Sequence, residues 1–215
     1  MAKGRIERRG AKRREQKPVV LIVTEGSKTE PKYFSSFRRR QSNIDIHVVG
    51  SRANSGGTDY ESLVRKTIDY MEKNGLSVRN GDTLWVVADG DINYDNVDPI
   101  GAKSRMLDKA RQLASRYAIT IMLSNPCFEF WYLLHYQYTT AHLRDYDAVV
   151  NLLKSYLPDY DKAKTVASQL LPHLDAAIRN AERVEQYHRA NGCAELCDIA
   201  VNPYTALHHL VARLQ

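Results

Sequence analysis

The feature that most restricts the fold is a pair of uninterrupted apolar, β-branched runs, Val19 to Thr24 (VVLIVT) and Thr83 to Ala88 (TLWVVA), set among segments of helical periodicity. A strand without polar alternation has both faces covered, as it would inside a parallel sheet clothed by helices. The first run is therefore expected to be central. After it, Tyr33, Phe34 and Phe37 repeat at helical spacing, with Pro31 in the first turn and Thr29 as the expected cap. Ile44 to Val49 reads as a second strand, and a second helix runs from about Tyr60 to Lys73 and stops at Asn74-Gly75. A third helix spans about Ala102 to Tyr117, and Ile119 to Leu123 is the fourth strand. The order β-α-β-α-β-α-β predicts an α/β fold with a four-stranded, mostly parallel sheet flanked by helices.

Beyond Asn125 the pattern changes to helices alone. Asn125-Pro126 and Asn202-Pro203 each read as a cap followed by a first-position proline, the first opening the aromatic stretch CFEFWYLLHY. Further helices fall near 146 to 156, 162 to 190 and 203 to 214, the last with Leu207, Leu210, Val211 and Leu214 on one stripe. No Gly, Ser or Pro linker separates them from the sheet. The expected layout is a basic arm over 1–17, an α/β core over 18–125, and a helical extension over 126–215 packed on the same domain. At 215 residues and 43% hydrophobic, one sizeable core suffices.

Three cysteines, no apolar leading segment and no run near the roughly 18 residues of a membrane span point to a reduced, cytoplasmic chain without a membrane role. The net charge of +6 is local. Residues 1–17 hold eight basic side chains against Glu7 and Glu15, so the rest of the chain is balanced. An arm with almost no apolar residues cannot offset its ordering entropy by burial, and is expected to be disordered. It suits either contact with nucleic-acid phosphates or a solvated tail.

Ligands of open parallel sheets bind beyond the carboxyl ends of the strands. Glu25 follows the first strand in Thr24-Glu25-Gly26, and Asp89 and Asp91 follow the third in Asp89-Gly90-Asp91. If those strands are neighbours, the three carboxylates converge although Glu25 and Asp89 are 64 positions apart. Like charges held together require a cation or raised pKa values, and hard oxygen ligands without His or Cys suit Mg²⁺ or Mn²⁺. Gly26 and Gly90 would let backbone or phosphate approach. The plain alternative is that these acids are turn and cap residues.

Other signals are weaker. Lys28 and Arg52 fall in loops at the same edge, where a cation could clamp a phosphate, with Gly56-Gly57 beside Arg52. Asp89-x-Asp91-x-Asn93 begins like a calcium loop, but Tyr94 and Ile100 stand where that loop needs Gly and Glu. Asp95 and Asp98 fit a solvated turn, and Arg38, Arg39 and Arg40 suit a helix C-terminus. His188, Cys193 and Cys197 match no common zinc spacing and would need His208 or His209 to complete a set. Trp131 and Tyr132 read as core aromatics.

TEG after the first strand, DGD after the third, SNPCFEFWYLLHY and the closing NPYTALHHLV together resemble the RloB family, also represented by the AbiLii abortive-infection proteins, over roughly 18 to 214. The core of that family is similar to the TOPRIM fold of topoisomerases, bacterial primases and OLD-type nucleases. The resemblance implies a TOPRIM-like, divalent-metal-dependent nuclease of anti-phage defence, working on RNA or DNA beside an ABC-type or AAA-like ATPase. It implies Glu25 as general acid/base or metal ligand and Asp89 and Asp91 as metal ligands. Glu129 is implied as a further ligand or water activator, against the simpler reading of an anion at a helix start. The competing class is a non-catalytic nucleic-acid-binding or regulatory subunit of an ATPase complex, and homo-oligomerisation is left open.

Overall fold

The computed structural model describes residues 17–38, 43–51 and 59–215. The basic arm up to residue 16, Arg39, Arg40, Arg52 and Gly56-Gly57 lie outside the described residues. Four strands, β1 (Val19–Thr24), β2 (Asp45–Gly50), β3 (Thr83–Asp89) and β4 (Ile119–Asn125), pair in parallel, and a two-residue β5 (Tyr204–Thr205) adds antiparallel to β4. The order is β2-β1-β3-β4-β5, so β1 and β3 are neighbours with Val20 opposite Thr83 and Thr24 opposite Val87. This is the mostly parallel, helix-flanked sheet expected from the alternating runs, with β5 as a fifth strand beyond the four expected, and it is consistent with the TOPRIM-like fold that the resemblance implies.

The unbroken apolar runs are explained by the two cores. Leu21 and Val23 of β1, with Leu84, Val86, Ile121 and Leu123, face helices α2 (Tyr60–Asn74) and α3 (Ile100–Ser115). Val20 and Ile22 face the opposite way, with Val87 and Met122, onto α1 (Thr29–Ser35) and the C-terminal helices. Those are α4 (Glu129–Leu134), α5 (Tyr146–Leu153), α6 (Ala167–Leu170), α7 (Leu174–Ala190) and α8 (Leu207–Val211). Trp131 and Tyr132 are buried in this second core, as read. The helices after residue 125 thus cover this face of the sheet together with α1. Among the described residues no helix is long and apolar enough to cross a membrane.

Local expectations fail at three places. Thr29 does not cap α1; its hydroxyl donates to the Lys162 carbonyl at 3.3 Å, and Lys28 occupies the cap position without a side-chain bond. Asn125-Pro126 does not start a helix. Asn125 ends β4, its amide donates to the carbonyls of Asp198 and Val201 at 2.7 and 2.8 Å, and α4 begins only at Glu129. Asn202-Pro203 leads into β5 instead of a helix, so the region beyond 125 is not helical alone. Asn202 trades side-chain hydrogen bonds with the backbone of Leu143, and both Asn-Pro bonds are cis.

Candidate active site

The carboxyl ends of β1 and β3 meet the start of α1 and of α4 around one cavity of about 360 Å³. Its lining includes Glu25, Lys28, Glu30, Asp89, Asp91, Glu129 and Lys162. Parallel pairing of β1 with β3 brings the two strand ends level. The Glu25 amide donates to the Val87 carbonyl at 3.1 Å, and the Asp89 amide donates to Glu25 Oε2 at 3.2 Å. Glu25 and Asp89 therefore stand on one rim, within direct reach of each other.

Two further acids close the group. Glu30, in the first turn of α1, is buried and accepts the Gly26 amide at 3.0 Å through Oε1. The absence of a side chain at Gly26 is required here, because a Cβ would overlap the Glu30 carboxylate. Glu129 is 2% exposed, accepts the Tyr160 hydroxyl at 2.8 Å, and has Lys162 Nζ 3.9 Å away. Lys162 also lies 3.9 Å over the Tyr146 ring, and its carbonyl takes the Thr29 hydroxyl, so the 160–162 segment is tied to both α1 and α5.

The electrostatics follow from this crowding. Asp89 is pushed well above the ordinary carboxylate range, first by burial and then by the charges of Glu30, Glu25 and Glu129, with a backbone hydrogen bond from Phe128 opposing. Glu30 is raised too, chiefly by burial, with Glu129 and Glu25 adding to it and backbone hydrogen bonds opposing. Asp89 Oδ1 is buried with no hydrogen-bond partner. A buried acceptor in that state costs stability unless something electropositive reaches it. The cavity lining thus has the donor set of a hard dication, several carboxylate oxygens with one of them orphaned and no Cys or His among the described lining residues. The Cys127 thiol is buried just behind it, where burial and the charges of Glu129 and Asp89 push its pKa up.

The D-G-D turn is held from behind. The Gly90 amide donates to the Ser124 carbonyl at 2.9 Å and the Asp91 amide to the Pro126 carbonyl at 3.0 Å. Lys103 Nζ donates to the carbonyls of Gly90 and Asp91, both at 2.7 Å. Asp91 has φ 47°, a left-handed conformation that Asp tolerates, and its side chain is 67% exposed. It lies at the cavity's edge, 3.9 Å from Lys103 Nζ, instead of among the acids that act on Asp89. Lys28 is exposed at the cavity wall.

A family model described as RloB-like protein matches residues 20–214. The chain belongs to the RloB-like family. No curated protein and no solved structure matches it. The acidic cavity of this RloB-like chain is built from segments that all lie inside the matched span.

Sequence reading missed Glu30, Tyr160 and Lys162. Glu30 had a usable signal, being an acid in the first turn of the helix that follows the Glu25-Gly26 step. Tyr160 falls between the expected helices, and Lys162 falls where a helix is expected from 162, whereas the segment is irregular until α6 begins at Ala167. The partial zinc set is not assembled: His188 Nε2 pairs with the Pro203 carbonyl at 2.8 Å, Cys193 Sγ with the Glu195 carbonyl at 3.3 Å, and Cys197 Sγ with the Ile121 carbonyl at 3.6 Å. Asp95 and Asp98 are exposed in the turn before α3, where Asp95 lies 3.7 Å from Arg144.

Proposed function

We propose that this RloB-like chain is a Mg²⁺- or Mn²⁺-dependent nuclease that hydrolyses phosphodiester bonds of RNA or DNA. The observation that carries the reading is the convergence of Glu25, Glu30, Asp89 and Glu129 on one cavity with the buried Asp89 Oδ1 unpartnered. Glu25, Glu30 and Asp89 would hold the cation, with Asp91 at the edge able to join. When bound, such an ion offsets charge on the non-bridging phosphate oxygens and lowers the pKa of water. Glu129, which lines the cavity with Oε1 held by the Tyr160 hydroxyl, would accept a proton from the attacking water. The water oxygen bonds to phosphorus, the ester P–O bond breaks, and the departing oxygen takes a proton from solvent at the open side of the cavity. Lys28 and Lys162, both lining the cavity, supply positive charge that draws a phosphate toward a site otherwise repellent to it. Family membership extends the proposal to anti-phage defence beside an ABC-type or AAA-like ATPase.

Purified protein incubated with tRNA and with plasmid DNA, in Mg²⁺ or Mn²⁺ and with or without the ATPase, tests this. Wild type is expected to cleave one of the substrates, and Glu25→Gln and Asp89→Ala to lose that cleavage. Equal cleavage by all three proteins, or none by wild type under every condition, would overturn the nuclease reading.

A further inference from the structure

A second cluster lies on the C-terminal layer, between α7 and α8. Glu185 Oε1 accepts Arg189 Nε and Nη2 at 3.1 and 2.9 Å, which fixes the carboxylate. Its other oxygen, Oε2, points at α8 and lies 3.2 Å from His208 Nε2 and 3.3 Å from His209 Nε2. The two imidazole centroids are 3.9 Å apart. His208 is 4% exposed, and neither of its ring nitrogens has a hydrogen-bond partner; Glu185 Oε2 is buried and lacks one as well. Glu185 Oε2 and the His208 ring thus approach closely without good hydrogen-bond geometry, a shortfall that a shared cation could make good.

That arrangement matches a tetrahedral cation. With ligand bonds of about 2.0–2.1 Å, two ligand atoms of a zinc tetrahedron stand roughly 3.3–3.4 Å apart. The two separations from Glu185 Oε2, 3.2 and 3.3 Å, are close to this spacing, and one ligand atom from each residue lies within 4.8 Å of the others. Burial favours the neutral ring of His208, the form that ligates a metal. The cluster opens on a cavity of about 420 Å³ with Glu182 and Gln186 in its wall, leaving room for water as a fourth ligand.

We infer that Glu185, His208 and His209 form a binding site for a late first-row dication of the zinc class, separate from the acidic cavity and clamping α8 to α7. Imidazole ligands select such an ion, whereas the carboxylate cavity selects Mg²⁺. The ion joins the last helix to the layer that covers the sheet, so its binding stabilises the C-terminal part of the fold.

The test is titration of the metal-stripped full chain with Zn²⁺ in excess Mg²⁺, followed by calorimetry, with Co²⁺ as a spectroscopic substitute and thermal unfolding as a third readout. One equivalent of Zn²⁺ is expected, with the intense visible bands of four-coordinate Co²⁺ and a rise in the unfolding midpoint. Because His208 is buried and its replacement could unfold the chain, the deciding variants are His209→Ala, at a ring 53% exposed, and Glu185→Gln. Each should weaken zinc binding at least about tenfold, the loss caused by removing even an outer partner of a metal site. Glu25→Gln, Asp89→Asn and Cys193→Ala should leave it intact. Absence of zinc binding by wild type, unchanged affinity in both ligand variants, or loss of binding in Cys193→Ala would overturn the inference.

Discussion

Replacing Asp89 by Asn should separate a cation site from a set of ordinary turn acids. In the metal-free protein, Asp89 sits among Glu30, Glu25 and Glu129 with Oδ1 buried and unpartnered. An amide removes the like charge and offers N–H donors to the neighbouring carboxylates. An unsatisfied buried polar atom costs about 1–3 kcal/mol, so Asp89→Asn should stabilise the metal-free chain by roughly that amount. For a domain of this size that corresponds to a rise of roughly 2–12 °C in the unfolding midpoint. Mg²⁺ at a hundred times its dissociation constant should then add about 2.7 kcal/mol to wild type and almost nothing to the variant. Urea unfolding with EDTA and with Mg²⁺ measures both effects, and Mg²⁺ is preferred because it avoids the imidazole cluster of α8. A variant less stable than wild type in EDTA, with an equal response to Mg²⁺, would refute the reasoning and mark Asp89 as a structural turn residue.

Further predictions concern the glycines and one buried imidazole. Gly26→Ala should move the Glu30 carboxylate, the flexible group its Cβ would overlap, and so weaken Mg²⁺ binding with little change in metal-free stability. Gly90→Ala instead meets Asn125 Oδ1, on a side chain anchored by two backbone carbonyls, and should lower the unfolding midpoint. Parallel thermal melts and Mg²⁺ titrations of the two variants check the contrast, which fails if both behave alike. His135 is 1% exposed, with Nδ1 on the Trp131 carbonyl at 2.9 Å and the Tyr33 hydroxyl 3.4 Å from Nε2, and burial holds its pKa down to about 4. The unfolded chain takes up this proton first, so the contribution is full above about pH 6.5 and is lost as pH falls toward 4, about 3 kcal/mol in all. Urea unfolding of wild type and His135→Gln at neutral and mildly acidic pH should show the gap between them narrowing in acid; an unchanged gap contradicts this.

The sheet was legible because β1 and β3 carry no polar interruption, a pattern that demands cover on both faces and so a parallel interior. The same pattern puts Glu25 and Asp89 on one rim if the two strands are neighbours, and the register of Thr24 with Val87 shows that they are. The C-terminal layer was harder to read. A two-residue strand such as β5 has no periodicity, and Asn-Pro, which opens helices elsewhere, here ends β4 and precedes β5. Asp91 looked equivalent to Asp89 because D-x-D carries no information about side-chain direction; the left-handed turn sends it outward. Tyr160 and Lys162 reach Glu129 only through tertiary packing of an irregular segment. Glu185 and the His208-His209 pair are separated by the end of α7, a loop and β5, and only the packing of α8 on α7 makes them a cluster.

The most direct measurement is anomalous diffraction from crystals soaked in Mn²⁺. The account predicts an ion about 2.0–2.2 Å from Asp89 Oδ1, with Glu25 or Glu30 completing its carboxylate ligands. An ordered cavity that stays free of Mn²⁺ at saturating concentration, or an ion bound without Asp89, would contradict it.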